Sequence, residues 1–404
     1  MQPIRLLYVC LVTAFCLTAP AVASAQDDPQ ALRKEVDQLK ADFETLRQGY
    51  AERLAALEAR LAAMPAAAPE GAQVPQAPAA AAGSSKVFNP DISVIGNFAG
   101  AAGDNPLSDQ PALSLSEVEA AFQAVVDPYA RADFFLSASP EGLEVEEANI
   151  TFTSLPAGLL LKVGKMRAQF GKVNAMHTHI LPWTDRPLVL HNLFGGDEGI
   201  SDSGASLSKL IPNRFMFLDA IGEVYLGASD VFHSEARSEL NYLGRLRGYR
   251  DLTEGTNLDL GVSFAHGPSA LSPGFDAQRI GMDATFRYRP LRRAIYRQLV
   301  GRAEGVWSRE ELVSGLQQHS SGFYGSVDYQ FARRWFAGVR GDRSGRPLDD
   351  LHDSGGSLSL TFRPSEFSLI RGQYRRTHYG EDVTADELLF QLNFSIGAHG
   401  AHPF

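Results

Sequence analysis

The sequence predicts an all-β transmembrane barrel of about sixteen antiparallel strands, preceded by an N-terminal α-helical coiled coil. Three observations lead there. Residues 87–404 hold repeated stretches of about ten residues with an apolar side chain at every second position, the period of a sheet with one face in an apolar medium and one in water. The connections between these stretches alternate short and long. One connection, about residues 172–201, is far longer than the usual hairpin loop of about 2–5 residues, yet too aromatic and too poor in charge runs to read as disordered.

The start of the chain reads as an address. Residues 1–25 carry one early Arg5, an apolar run and the small-residue site Ala23-Ser24-Ala25, the pattern of a cleaved signal peptide. Both cysteines, Cys10 and Cys16, fall inside it, so the mature chain is expected to have no disulfide, thiolate metal site or Cys nucleophile. Residues 26–64 follow as a periplasmic coiled-coil helix. Leu32, Val36, Leu39, Phe43, Leu46 and Tyr50 alternate spacings of four and three, a heptad seam that association would bury. The alternative is a lone amphipathic helix lying on the rest of the protein. Residues 65–86 are Ala/Pro-rich and read as an extended linker.

From residue 87 onward the chain reads as strands. No apolar run approaches the ~18–20 residues of a transmembrane helix. Instead Val118, Ala120, Phe122 and Ala124 alternate with Glu117, Glu119, Ala121 and Gln123, and Ile280, Met282, Ala284 and Phe286 alternate with Arg279, Asp283, Thr285 and Arg287. A soluble β-sandwich shows the same alternation, so the connections decide. Short ones near residues 126–129, 154–158, 211–214, 331–335 and 363–367 are separated by long polar ones at 101–112, 172–201, 228–238, 267–277, 309–321, 340–356 and 377–386. Short turns on one rim and long loops on the other is the plan of an outer-membrane barrel. An even strand number puts both termini on the short-turn, periplasmic side.

Residues 159–212 are the stretch around which the rest is organised. An extended segment runs from Leu159 to Gly171, the long excursion follows, and a second strand spans Gly204 to Leu210. With Val163-Gly164-Lys165-Met166-Arg167-Ala168-Gln169-Phe170-Gly171, Asp185-Arg186-Pro187-Leu188-Val189 and Gly199-Ile200-Ser201-Asp202-Ser203-Gly204, it resembles the phosphate- and polyphosphate-selective porin family. The resemblance implies a trimeric sixteen-stranded barrel whose third loop folds inward. It covers residues 88–404 in layout and about 159–210 in motif. One departure stands out: the family strand usually has Pro before the Phe, where this chain has Gln169.

The formal net charge is −10; removing the signal removes only Arg5, which leaves −11. The inward strand positions are nevertheless locally basic, with Lys165, Arg167, Arg245, Arg247, Arg279, Arg287, Arg302, Arg371 and Arg375 accompanied by Glu117, Glu119 and Asp133. These are the expected pore-lining set, and His177, His179, Trp183, Asp185 and Arg186 are expected at the constriction. Charges of both signs across a wet lumen orient polar solutes, whereas rings of one sign select ions. His177 with His179, and His399 with His402, have spacings able to ligate a metal, but the reading expects no metal or other cofactor. No nucleophile–base pattern or phosphate loop appears, so no enzyme is expected. The predicted function is passive diffusion of small polar or anionic solutes across an outer membrane. The alternatives are a receptor for a specific ligand or metal, and an envelope tether acting through the coiled coil. Expected partners are membrane lipids, lipopolysaccharide bridged by divalent ions to loop acids, two further copies of the chain and the barrel-assembly machinery, with no nucleic acid.

Overall fold

The computed structural model describes residues 90–397 apart from 109, 141 and 314. The expected signal peptide, coiled coil, linker and His399/His402 pair lie outside the described residues. Sixteen strands make up the barrel: β1 (Asp91–Asp104), β2 (Leu113–Asp127), β3 (Ala130–Ser139), β4 (Gly142–Leu155), β5 (Leu159–Arg167), β6 (Ser201–Ile211), β7 (Phe217–Tyr225) and β8 (Asn241–Thr253). They continue with β9 (Thr256–Pro268), β10 (Asp276–Tyr288), β11 (Gln298–Val313), β12 (Leu316–Ala332), β13 (Trp335–Gly345), β14 (His352–Ser365), β15 (Ser368–His378) and β16 (Thr384–Gly397). Each pairs antiparallel with its sequence neighbours, and β1 closes the cylinder on β16 with Val94 opposite Ile396.

Alternation places the apolar residues outside. Met282, Leu260, Phe323 and Leu388 are all exposed, while Asp283, Asp259, Tyr324 and Glu387 on the same strands are buried. In water that arrangement would be unstable; against hydrocarbon it buries apolar area and keeps charge in the lumen. Exposed Tyr129, Phe217, Tyr288, Tyr329 and Trp335 gather toward the short-turn rim, and Tyr242, Trp307 and Tyr374 lie toward the other, as interfacial aromatic girdles do. Among the described residues no helix is long and apolar enough to cross a membrane.

The rim differs from expectation at two of the long connections. Residues 340–356 are strand up to Gly345 and again from His352, which leaves only 346–351 as loop. Residues 309–321, read as a long loop, are mostly strand: β11 and β12 run 16 and 17 residues and meet at Val313 opposite Leu316. Beyond the apolar band both faces of a strand are wet. Its sequence then loses alternation and looks like loop, while the hydrogen-bond ladder continues.

The third connection (L3, residues 168–200) begins four residues earlier than Gly171 suggested, because β5 stops at Arg167. Ala168 and Phe170 turn inward and are fully buried, and Gly171 takes φ +56, a conformation that glycine adopts without strain. L3 contains a 3₁₀ turn (Thr178–Ile180) and a short helix α1 (Leu188–Leu193). The hydrophobic core lies between this loop and the inner wall: Phe170, Leu181, Trp183, Val189, Leu193 and Phe194 pack with Tyr225, Leu243, Val306 and Tyr324. Inward glycines make the seats. A Cβ on Gly281 would meet the Phe170 ring at 2.4 Å, and one on Gly322 would meet Val189 at 2.8 Å.

Candidate pore and its constriction loop

L3 is tied to the wall around most of its circumference. Glu223 of β7 accepts from Gln169 N (2.9 Å), Arg245 of β8 donates to Gly171 O, and Arg279 of β10 donates to Leu193 O (2.9 Å). Asp342 of β13 accepts from Leu188 N (3.2 Å), and Asp353 of β14 accepts from Asn192 (2.7 Å). On the far side Arg371 of β15 donates to Leu181 O (3.0 Å) and Asn393 of β16 donates to His179 O (2.7 Å). A loop has few hydrogen bonds of its own, so these wall side chains satisfy backbone groups that the lumen core would otherwise strand.

Two charged clusters hold the loop's middle. Asp185 accepts from Arg340 (2.8 Å), Arg375 (2.9 Å) and Gln373 (2.6 Å), while Arg340 also pairs with Asp342 (2.7 Å) and lies 5.0 Å over the Trp183 ring. Burial alone would raise the Asp185 carboxyl, but the two guanidinium groups hold it well below the usual carboxylate range. Trp183 also meets Tyr324 edge-on at 5.2 Å. Arg186 is buried and donates to Met176 O (3.1 Å), and burial together with nearby Arg167 lowers its pKa to about 10.

The second cluster joins the loop to β2 and β4. His177 Nδ1 lies 2.6 Å from Glu119 Oε2 and 2.8 Å from Glu146 Oε2, and Nε2 lies 2.9 Å from Glu147 Oε1. Burial opposes a charge on this ring, but the hydrogen bonds to the three carboxylates push its pKa up to about 11. His179 sits beside it, 3.6 Å from Glu119 and 3.8 Å from Glu117. Glu146 and Glu147 both face this cluster because the β3–β4 ladder shifts register here: Phe135 opposes Glu147 and Leu136 opposes Val145, leaving Glu146 between them. A bulge of this kind breaks the two-residue period, and that is why alternation gave no sign of Glu146.

The expected lumen set distributes as follows. Arg247 pairs with Asp259 through two bonds (3.0 and 2.7 Å), Arg245 with Asp283 (2.9 Å), Arg279 with Glu310, Arg302 with Asp328, and Arg375 with Glu387 (2.6 Å). Asp133 accepts from Gln123 and Arg131. Arg167 donates to Glu198 O (2.7 Å) and reaches Glu146 at 3.4 Å. Lys165 pairs with Glu144 (2.8 Å), both partly exposed. Contrary to expectation, its strand position faces outward, in register with Ala148 and Ser203, and its neighbour Met166, opposite the buried Asp202, takes the inward place and joins the loop core. Of the expected lumen cations, Arg167, Arg245 and Arg247 are thus largely neutralised, since each guanidinium has an acidic partner at hand. Sequence reasoning also missed Lys162, Lys172, Arg340 and Asp342. Lys172 follows Gly171 in the loop and binds Asp259, and no period marks a loop lysine.

Space remains on both sides of L3. A cavity of about 420 Å³ is lined by Lys162, Lys172, Arg245, Arg247 and Arg287 together with Glu119, Asp133, Glu147 and Asp219. A second, of about 830 Å³, is lined by Arg186, Arg346 and Arg375 with Asp185, Asp197, Asp353 and Glu381. The two have no lining residue in common. L3 residues 175–186 contribute to both, so the loop forms the partition between a more basic chamber and a more acidic one.

No family model matches the chain. Among solved structures it is similar to the anion-selective porin from Comamonas acidovorans (10% identity, TM-score 0.53, 76% of this chain and 100% of that one). It is likewise similar to OprB of Pseudomonas putida (10%, 0.56, 77% and 94%) and to the outer membrane channel DcaP of Acinetobacter baumannii (9%, 0.52, 76% and 96%). These likenesses show the fold, and at that level the resemblance drawn from residues 159–210 holds for porin barrels in general, not for phosphate-selective ones in particular. An uncharacterized protein of Aquifex aeolicus (strain VF5) is 30% identical over 392 residues, covering 80% of this chain and 81% of that protein. At that identity and coverage, the chain belongs to the same family as the Aquifex protein.

Proposed function

We propose that the chain is an outer-membrane porin, a water-filled barrel through which small polar solutes diffuse past the L3 partition. The observation that carries the reading is the closed barrel with apolar residues outside, paired charges inside and one long connection folded across the lumen. The reading assigns the protein no catalysis. Its finer parts are a signal peptide over residues 1–25, a homotrimer as in the trimer form solved for OmpT of Vibrio cholerae, contacts with lipopolysaccharide, and insertion by the barrel-assembly machinery.

Selectivity follows from which cations still face water. Arg245 is almost fully buried and locked to Asp283, whereas Arg247, though paired with Asp259, keeps 38% of its side chain exposed, and Arg287 lines the same chamber. Loop acids more than about 8–10 Å away are largely screened at physiological salt, so these two arginines should outweigh the acidic total. We read the pore as weakly anion-preferring, for phosphate- or carboxylate-sized solutes. In planar bilayers under a salt gradient, replacing both with Gln should move the reversal potential toward cations. A wild type that is clearly cation-selective and unaffected by the replacements would remove the anion reading, and a chain that carries no current would remove the porin reading.

A further inference from the structure

The His177 cluster is more than an ion pair. Ligand atoms of Glu119, His177 and His179 lie within 4.8 Å of one another, as do oxygens of Glu117, Glu119 and Glu146, and all of these residues are buried. The two triads share Glu119. We propose that Glu119, Glu146, His177 and His179 hold a divalent first-row transition-metal ion between L3 and the β2/β4 wall, with Glu117 at its edge.

Three features support a metal over a plain salt bridge. First, His177 Nδ1 faces Glu119 Oε2 and Glu146 Oε2 at 2.6 and 2.8 Å. Small side-chain movements would let an ion sit ~2 Å from each of these atoms in place of the ring proton. Second, the opposite nitrogen, Nε2, points at Glu147 Oε1 (2.9 Å), and Glu147 is itself held by Lys162 (3.1 Å) and Asn149 (3.4 Å). A carboxylate on the far nitrogen of a ligating histidine, anchored in turn, is the outer layer that fixes ring orientation in metal sites. Third, carboxylate capacity is left over. Glu119 Oε1 has no hydrogen-bond partner although its residue is 1% exposed, and buried carboxylate oxygens are normally satisfied.

The donor set names the class of ion. Two imidazoles with carboxylates suit Zn²⁺, Fe²⁺ or Co²⁺, whereas Ca²⁺ and Mg²⁺ take all-oxygen shells. Because the histidines come from L3 and the carboxylates from β2 and β4, the ion would cross-link the loop to the wall at the partition itself.

The test uses the untagged full-length chain in detergent, stripped with chelator and titrated with Co²⁺ while its visible ligand-field absorption is followed. The expected result is one Co²⁺ per chain with bands that Zn²⁺ abolishes and excess Ca²⁺ does not. His177→Ala with His179→Ala should lose the bands, and Glu147→Gln should keep the stoichiometry while weakening affinity about 10–100-fold. If the double variant fails to form a barrel, His179→Asn alone asks the same question. Absence of Co²⁺ binding overturns the proposal, and so does binding that is unchanged in the histidine variants, which would place the ion on exposed loop acids.

Discussion

Asp185 stands where two arginines from different strands converge. Arg340 and Arg375 both reach one of its oxygens, and each has a second acidic partner, Asp342 and Glu387. Removing one charge from a buried pair typically destabilises by ~3–5 kcal/mol; with those second partners still in place, Asp185→Asn should destabilise by roughly 2–3 kcal/mol. Equilibrium denaturation of the refolded barrel measures this, and an unchanged midpoint would show that the clamp holds nothing. Asp185 was legible as a constriction residue from its place in the excursion, and Arg375 from its inward parity. Their meeting was not legible, because residues 190 positions apart in sequence are brought together by the loop's path across the lumen. Alternation reports which face a side chain takes, and carries no information about which partner it finds there.

At the scale of elements, strands and loop are built for each other. The strands were legible because hydrocarbon outside and water inside impose a two-residue period, and it fails where that contrast ends: in the wet extensions of β11 and β12, at the Glu146 bulge, and at the end of β5. L3 was legible as an excursion but not as a packed body, since its apolar residues follow no period and its seats are glycines on remote strands. Gly281→Val tests the packing. The new side chain would collide with Phe170, whose ring packs at a tilt against Phe194 at 4.9 Å, and overpacking of this kind costs about 1–3 kcal/mol. In a Phe170→Ala background the penalty should largely disappear. Equal penalties in both backgrounds would mean that Phe170 does not occupy the cleft over Gly281.

For the whole molecule, the acidic total of −10 describes the lumen poorly. Acids and bases are interleaved along the inner wall, most arginines are matched, and the two chambers differ in balance. The porin-like architecture follows from one sheet closed on itself, and the character of the passage follows from what L3 leaves open. The most direct measurement is therefore single-channel conductance in planar bilayers, compared between the full chain and a variant in which residues 175–193 are replaced by a short flexible link. The account predicts a small, well-defined conductance for the full chain and a several-fold larger one for the variant, because the partition between the chambers is gone. Equal conductances would contradict it and would place the rate-limiting narrowing somewhere other than the third loop.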